Sequence, residues 1–162
     1  MADNAIMIFD GTPTQNVINE ATSDPADGTV FGGAAVWDNT SDLWPMALAT
    51  VSITDAATTL AVGSLDLYCM KGNVGSGAED EDAGGITYGL ALAASTAETQ
   101  TNGLHYMGSF RFDSDLGAQR RTITISTLGI KEAYFYLVNN CINAIGQPIT
   151  LDIEGFTYTP SV

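Results

Sequence analysis

The sequence predicts an all-β chain folded as a two-sheet β-sandwich, jelly-roll-like, with little or no helix. Three observations predict it. Runs of β-branched and aromatic residues recur between Gly, Pro, Asn and Asp turn signals, about eight to ten of them in 162 residues. No stretch carries the spacing of a convincing amphipathic helix, and no internal repeat points to a propeller or solenoid. The last quarter, residues 120–160, strings together three strand-like runs with almost no charge on their alternating apolar positions.

The elements follow in chain order. Residues 5–9 (AIMIF) form an opening strand, stopped by Asp10, Gly11 and Pro13. A polar segment then runs to Gly28, with Ser23, Asp24 and Pro25 setting a tight turn. Residues 29–37 (TVFGGAAVW) read as a strand in which Gly32 and Gly33 permit a bend or close packing. Residues 39–45 (NTSDLWP) are a loop with an apolar tip. Residues 46–54 alternate through Leu48, Val51 and Ile53 with one phase slip.

Residues 59–70 are long for a strand, so a break or bulge is expected at Gly63 and Ser64. Leu65, Leu67 and Cys69 then face the core, with Asp66 and Tyr68 outside. Residues 72–85 surround Glu79, Asp80, Glu81 and Asp82 with glycine, as an exposed acidic loop does. Residues 86–93 and 103–112 are further strands, separated by a polar stretch. In residues 120–128, Ile123 and Ile125 point one way and Thr122, Thr124 and Ser126 the other. Residues 133–140 (AYFYLVNN) are apolar without a break, as suits a strand covered on both faces. In residues 149–160, Ile149, Leu151 and Ile153 share one face, and Gly155 marks an expected bulge.

The length suits one core, so residues 23–162 are expected to form a single sandwich domain. Residues 1–22 are expected to be an N-terminal arm, or a first strand with its loop. Asp and Glu number 19 against 5 Lys and Arg, a formal net charge of −14. Such a surface repels phosphate backbones and anionic lipid headgroups, which argues against nucleic-acid or membrane partners. The start lacks the basic end and apolar core of a signal peptide, so a cytoplasmic origin is expected. Cys69 and Cys141 sit in or beside apolar strands and read as small buried hydrophobes; a single disulfide between them is the lesser alternative.

Candidate chemistry is sparse. The acidic loop, through Asp80 and Asp82, could offer oxygens to a structural calcium ion, but consecutive acids miss the alternating spacing that an EF-hand loop uses. Asp113 and Asp115 have the better spacing but are only two. A solvated acidic tip is the plainer reading, and no cofactor is expected. His105 is the only histidine, so a Ser-His-Asp enzyme would have to use it, and no nucleophile motif stands near. The expectation is therefore a protein that is not an enzyme. Trp37, Trp44, Tyr68, Tyr88, Tyr106 and Tyr158 could supply a sugar-stacking platform. Trp44, in its loop, is the candidate exposed anchor for a partner.

At LVNNCINAIGQPITLDIEGFTYTP the chain resembles the end of virion structural proteins of tailed bacteriophages. A strand ending in Asn139 and Asn140, a short loop with Gly146 and Gln147, and a last strand closing on an aromatic are features of small capsid decoration, or cement, proteins. The resemblance covers residues 137–160, about a seventh of the chain. It implies a protein made in the host cytoplasm that docks on the outer capsid surface against the major capsid protein, commonly as a homotrimer. The charge fits that side of the shell, away from packaged DNA. Residues 1–22 would supply the shell contact through Ile6, Ile8, Phe9, Val17 and Ile18. Two other classes compete: a carbohydrate-binding or adhesin module of a phage fibre, and a small β-sandwich hydrolase with paired carboxylates.

Overall fold

Strands that alternate apolar and polar residues bury one face each, and two such sheets stacked face to face satisfy them together. The computed structural model of the chain describes residues 5–8, 15–21, 24–54, 63–73, 77–78, 92–96, 104–112 and 118–160. Among these residues every regular element is a strand: β1 (Ala5–Ile8), β2 (Gln15–Glu20), β3 (Thr29–Asp38), β4 (Met46–Ile53), β5 (Gly63–Asn73), β6 (Gly77–Ala78), β7 (Leu92–Thr96), β8 (His105–Phe112), β9 (Gln119–Ser126), β10 (Glu132–Asn139) and β11 (Ile149–Pro160).

One sheet has the order β2-β11-β4-β9, with β1 on the later part of β11. The other has the order β7-β3-β10-β5-β8, with β6 also on β5. All pairs are antiparallel. Apart from β1, β6 and β7, the strands pair first with last: β2 with β11, β3 with β10, β4 with β9, β5 with β8. Glu20 faces Ile149, Val30 faces Val138, Ala49 faces Ile123 and Asp66 faces Ser109. The chain is thus one long hairpin ribbon rolled into two sheets, which is the jelly roll.

Between the sheets lie Phe31, Trp37, Ala47, Ala49, Val51, Ile53, Leu65, Leu67, Phe110, Phe135, Leu137, Ile149, Leu151 and Ile153, all buried. Each such side chain contributes about 1.5–3 kcal/mol by leaving water when it is the size of Val, Leu or Phe. The outer face of the second sheet carries another cluster: Val30, Met70, Leu104, Tyr136 and Val138. β10 is therefore covered on both faces, as its unbroken apolar run requires. Cys69 and Cys141 are both buried, and no disulfide joins them.

Three sequence expectations need correction. β4 has no phase slip: Ala47, Ala49, Val51 and Ile53 point inward in strict alternation, and Leu48 lies on the opposite face. Two of these four inward positions are held by alanine. Gly155 is not a bulge, because β11 pairs β4 without interruption from Ile149 to Phe156. A Cβ there would collide with Trp44 Cε3, so the residue is small to let the indole lie on the strand. Val17 and Ile18 are not exposed anchors of an arm. β2 is hydrogen-bonded to β11, and both side chains are buried in the core.

Gly32 does what the sequence suggested. Its φ is 120°, and a Cβ would come 2.6 Å from the Phe135 carbonyl oxygen, where the register of β3 on β10 shifts. The open sides of the sandwich are tied by side chains. Gln15 donates to the Asp38 carbonyl and accepts from the Asp38 N–H, both at 2.9 Å, imitating one rung of a ladder between the sheets. On the other side Arg121 Nε donates to the Arg111 carbonyl at 3.1 Å, with its guanidinium 5.6 Å from the Phe112 ring centroid.

Candidate docking site

At one end of the sandwich the β3–β4 loop and the β9–β10 turn form a single unit around Asn39. Asn39 follows β3 and is buried. Its Nδ2 donates to the carbonyls of Trp44 (3.1 Å) and Ile130 (3.0 Å), and its Oδ1 accepts from the Trp44 N–H at 2.8 Å. Buried Thr127 donates its hydroxyl to the same Trp44 carbonyl at 2.6 Å. Backbone bonds close the rest: Asn39 N–H to Lys131 O, Leu43 N–H to Asn39 O, and Thr127 N–H to Pro45 O. A buried amide with every role filled leaves a loop little freedom, since loosening it strands several polar groups.

The side chains that this unit presents outward are apolar. Leu43 has a φ of 51°, the left-handed region that a leucine seldom adopts, and is 59% exposed. Leu128 occupies the first central position of the turn Thr127–Ile130. Gly129 takes the positive φ (79°) at the next position, and the Ile130 N–H bonds Thr127 O at 2.9 Å. Leu128 is 79% exposed. Leu43 and Leu128 line one depression of about 260 Å³ together with Asn39, Thr127, Gly129, Ile130 and Lys131. Beside Asn39 in the chain, the Thr40 N–H donates to Asp38 Oδ1 at 2.8 Å, and this bond holds the Asp38 carboxyl below its ordinary range.

Trp44, the expected anchor, is 4% exposed; its ring fills the space over Gly155. The apolar tip in NTSDLWP exists, but Leu43 forms it. Sequence reading missed both leucines, because nothing local distinguishes an apolar residue that a turn turns outward from one turned inward.

The opposite end is built alike around Asn139, the last residue of β10. Its Nδ2 donates to the carbonyls of Pro25 (2.9 Å) and Asn143 (3.0 Å), and its Oδ1 accepts from the Cys141 N–H at 2.8 Å. Gly28 N–H bonds Asn139 O, Ile145 N–H bonds Pro25 O and Asn140 N–H bonds Ser64 O. Burial, with Asp27 and Asp66 adding, pushes the Cys141 thiol up to about 11.

Of the other sequence candidates, Trp37 is fully buried and meets Phe135 edge-on, with centroids 6.1 Å apart. His105 is half-buried in β8, opposite Cys69. Ile6 and Ile8 lie in β1, opposite Thr159 and Thr157. Phe9, Tyr88, Asp113, Asp115 and the acidic loop with Asp80 and Asp82 lie outside the described residues. Among the described residues no three His, Cys, Asp or Glu side chains gather as a metal site would require. Comparison with known protein families, curated proteins and solved structures found no match to this chain.

Proposed function

We propose that this chain is a non-enzymatic structural protein that decorates the outer surface of a tailed-phage capsid, self-associating as a trimer and docking on the major capsid protein through the leucine tip. The observation that carries this reading is the tip itself. Two exposed leucines stand on loops locked from beneath by Asn39, Thr127 and Trp44. Exposed apolar side chains on rigid loops lose little entropy when a partner covers them, so they suit docking. Three further features support it. The jelly roll recurs in viral shell proteins, an analogy at the level of fold alone. The net charge of −14 favours a surface away from packaged DNA. The segment that resembles virion structural proteins forms the end of β10 from Leu137, the Asn139 loop and β11, which joins both β2 and β4. A protein binding only the expanded shell stabilises that shell by linkage.

The test is co-sedimentation with expanded heads assembled without the protein, together with light scattering of the free chain. Saturable binding by a trimer, lost in the Leu43→Asp/Leu128→Asp variant, is the expected result. A folded wild-type chain that never sediments with the heads would end this reading. Of the aromatics that a fibre module could use to stack on sugars, Trp37 and Trp44 are buried, while Tyr106 is exposed.

A further inference from the structure

Away from the leucine tip, at the β5–β8 edge of the second sheet, an exposed tyrosine is held in place by a row of polar side chains. In the register, Asp66 faces Ser109, Tyr68 faces Tyr106 and Ser64 faces Arg111. Asp66 Oδ1 accepts from Ser64 Oγ (2.9 Å) and Ser109 Oγ (2.5 Å), and Oδ2 accepts from Asn140 Nδ2 at 2.7 Å. Ser109 has one hydroxyl hydrogen, directed to the carboxylate, so Tyr106 is the donor in its 2.6 Å contact with Ser109. The Tyr106 phenol is thus pinned at its oxygen. Its ring is also met by Tyr68 at 5.4 Å between centroids and 65° between planes. Yet the residue is 57% exposed.

The fixed ring is flanked by unfilled acceptors. A carboxylate has about four lone-pair directions, of which three are taken on Asp66. Among the described residues no donor reaches Asn140 Oδ1, and Asn140 is exposed. At the other end of the row Arg111 is also exposed. The strand bulges between the two ends, at Met107, where the register shifts between Leu67 and Tyr68. Bulges re-aim side chains in this way. From Tyr106 to Arg111 is roughly 16 Å of strand, the span of a short oligosaccharide rather than one sugar.

We propose that this edge is a binding site for neutral oligosaccharides, with Tyr106 stacking on the apolar face of a pyranose ring while Asp66 and Asn140 accept hydrogen bonds from its hydroxyls. A pyranose pairs a C–H face with a rim of hydroxyl donors, and the site offers the complement of both. An anionic ligand is disfavoured by Asp66 and by the net charge of −14. The stacking ring is pre-organised by Ser109 and Tyr68, so binding does not have to order it.

The experiment is an amide-resolved NMR titration of the full chain with maltohexaose, cellohexaose and N-acetylchitohexaose, each to millimolar concentration. Expected are shifts centred on Asp66, Tyr106, Ser109 and Asn140 with at least one of the three sugars. Tyr106→Ala should weaken that binding by about tenfold, and Tyr106→Phe should retain most of it because the ring remains. Tyr106 is exposed, so the dispersed spectrum of Tyr106→Ala reports its fold directly. No shift with any of the three, or shifts elsewhere that survive Tyr106→Ala, overturns the proposal. The Leu43→Asp/Leu128→Asp variant should titrate like the wild type, which keeps failure here separate from failure of the docking reading.

Discussion

The two ends of the sandwich use the same device for different results. At each, an asparagine just past or at the end of a strand is buried, donates twice to carbonyls and accepts once from a backbone N–H. At the Asn39 end, the amide locks two loops over the indole of Trp44 and leaves Leu43 and Leu128 together at the surface. At the Asn139 end it ties the β10–β11 loop to the segment before β3, and among the described residues there Ile142 is the large apolar side chain left exposed, at 73%. The lesson is that the same locking motif can sit beneath different displays, so the residues above it decide what each end presents.

The largest expected effect breaks the Asn39 end from below. Trp44→Ala empties the space over the strand and should lower stability by about 3–5 kcal/mol in urea unfolding, and Gly155→Ala drives a Cβ into the Trp44 ring and should cost about 3 kcal/mol. A Gly155→Ala variant within about 1 kcal/mol of wild type would mean that the indole is not held as described. Next, Asn39→Ala and Asn139→Ala should each cost about 2–3 kcal/mol, since each strands buried backbone groups. Only Asn39→Ala should also abolish sedimentation with capsid heads. Equal loss of docking in both would erase the distinction between the ends.

A smaller effect with opposite sign comes from Leu43→Gly. Glycine accepts a φ of 51° without strain, so stability should hold or rise by up to about 1 kcal/mol while docking falls. Smallest are the pH effects, which differ between the ends. Asp38, by the Asn39 end, has a carboxyl held low by the Thr40 N–H and hydroxyl. Its contribution is present above about pH 4 and is lost as pH falls through the folded value. Cys141, by the Asn139 end, has a folded value raised to about 11. Its contribution is full below the ordinary thiol value and is lost as pH rises toward 11. Urea midpoints measured across pH should show an acid arm that flattens in Asp38→Asn and an alkaline arm that flattens in Cys141→Ala.

Much of the architecture was legible because period-two alternation reports facing directly. Ile125 inward against Thr124 outward, Leu65 and Leu67 inward against Asp66, and the two-sided burial of β10 all followed from pattern alone. Pattern failed where small residues carry the design. Ala47 and Ala49 count weakly as apolar, so β4 looked out of phase. Gly155 looked like a bulge because sequence does not reveal an indole arriving from Trp44, far away in the chain. The candidate site was legible only as a loop with an apolar tip. Which of Leu43 and Trp44 turned outward depended on the left-handed backbone at Leu43 and on space over Gly155, neither of which is local information.

The rolled ribbon also governs when this protein can exist. Among the described residues the strand pairing of β2 is to β11, and that of β3 is to β7 and β10. During synthesis the early strands therefore leave the ribosome with open edges and wait for most of the chain to follow. Contacts that join distant parts of a sequence form slowly, in milliseconds to seconds rather than microseconds. The nascent first half is thus the species most exposed to wrong pairing, and any chaperone need would fall before the last strand is made.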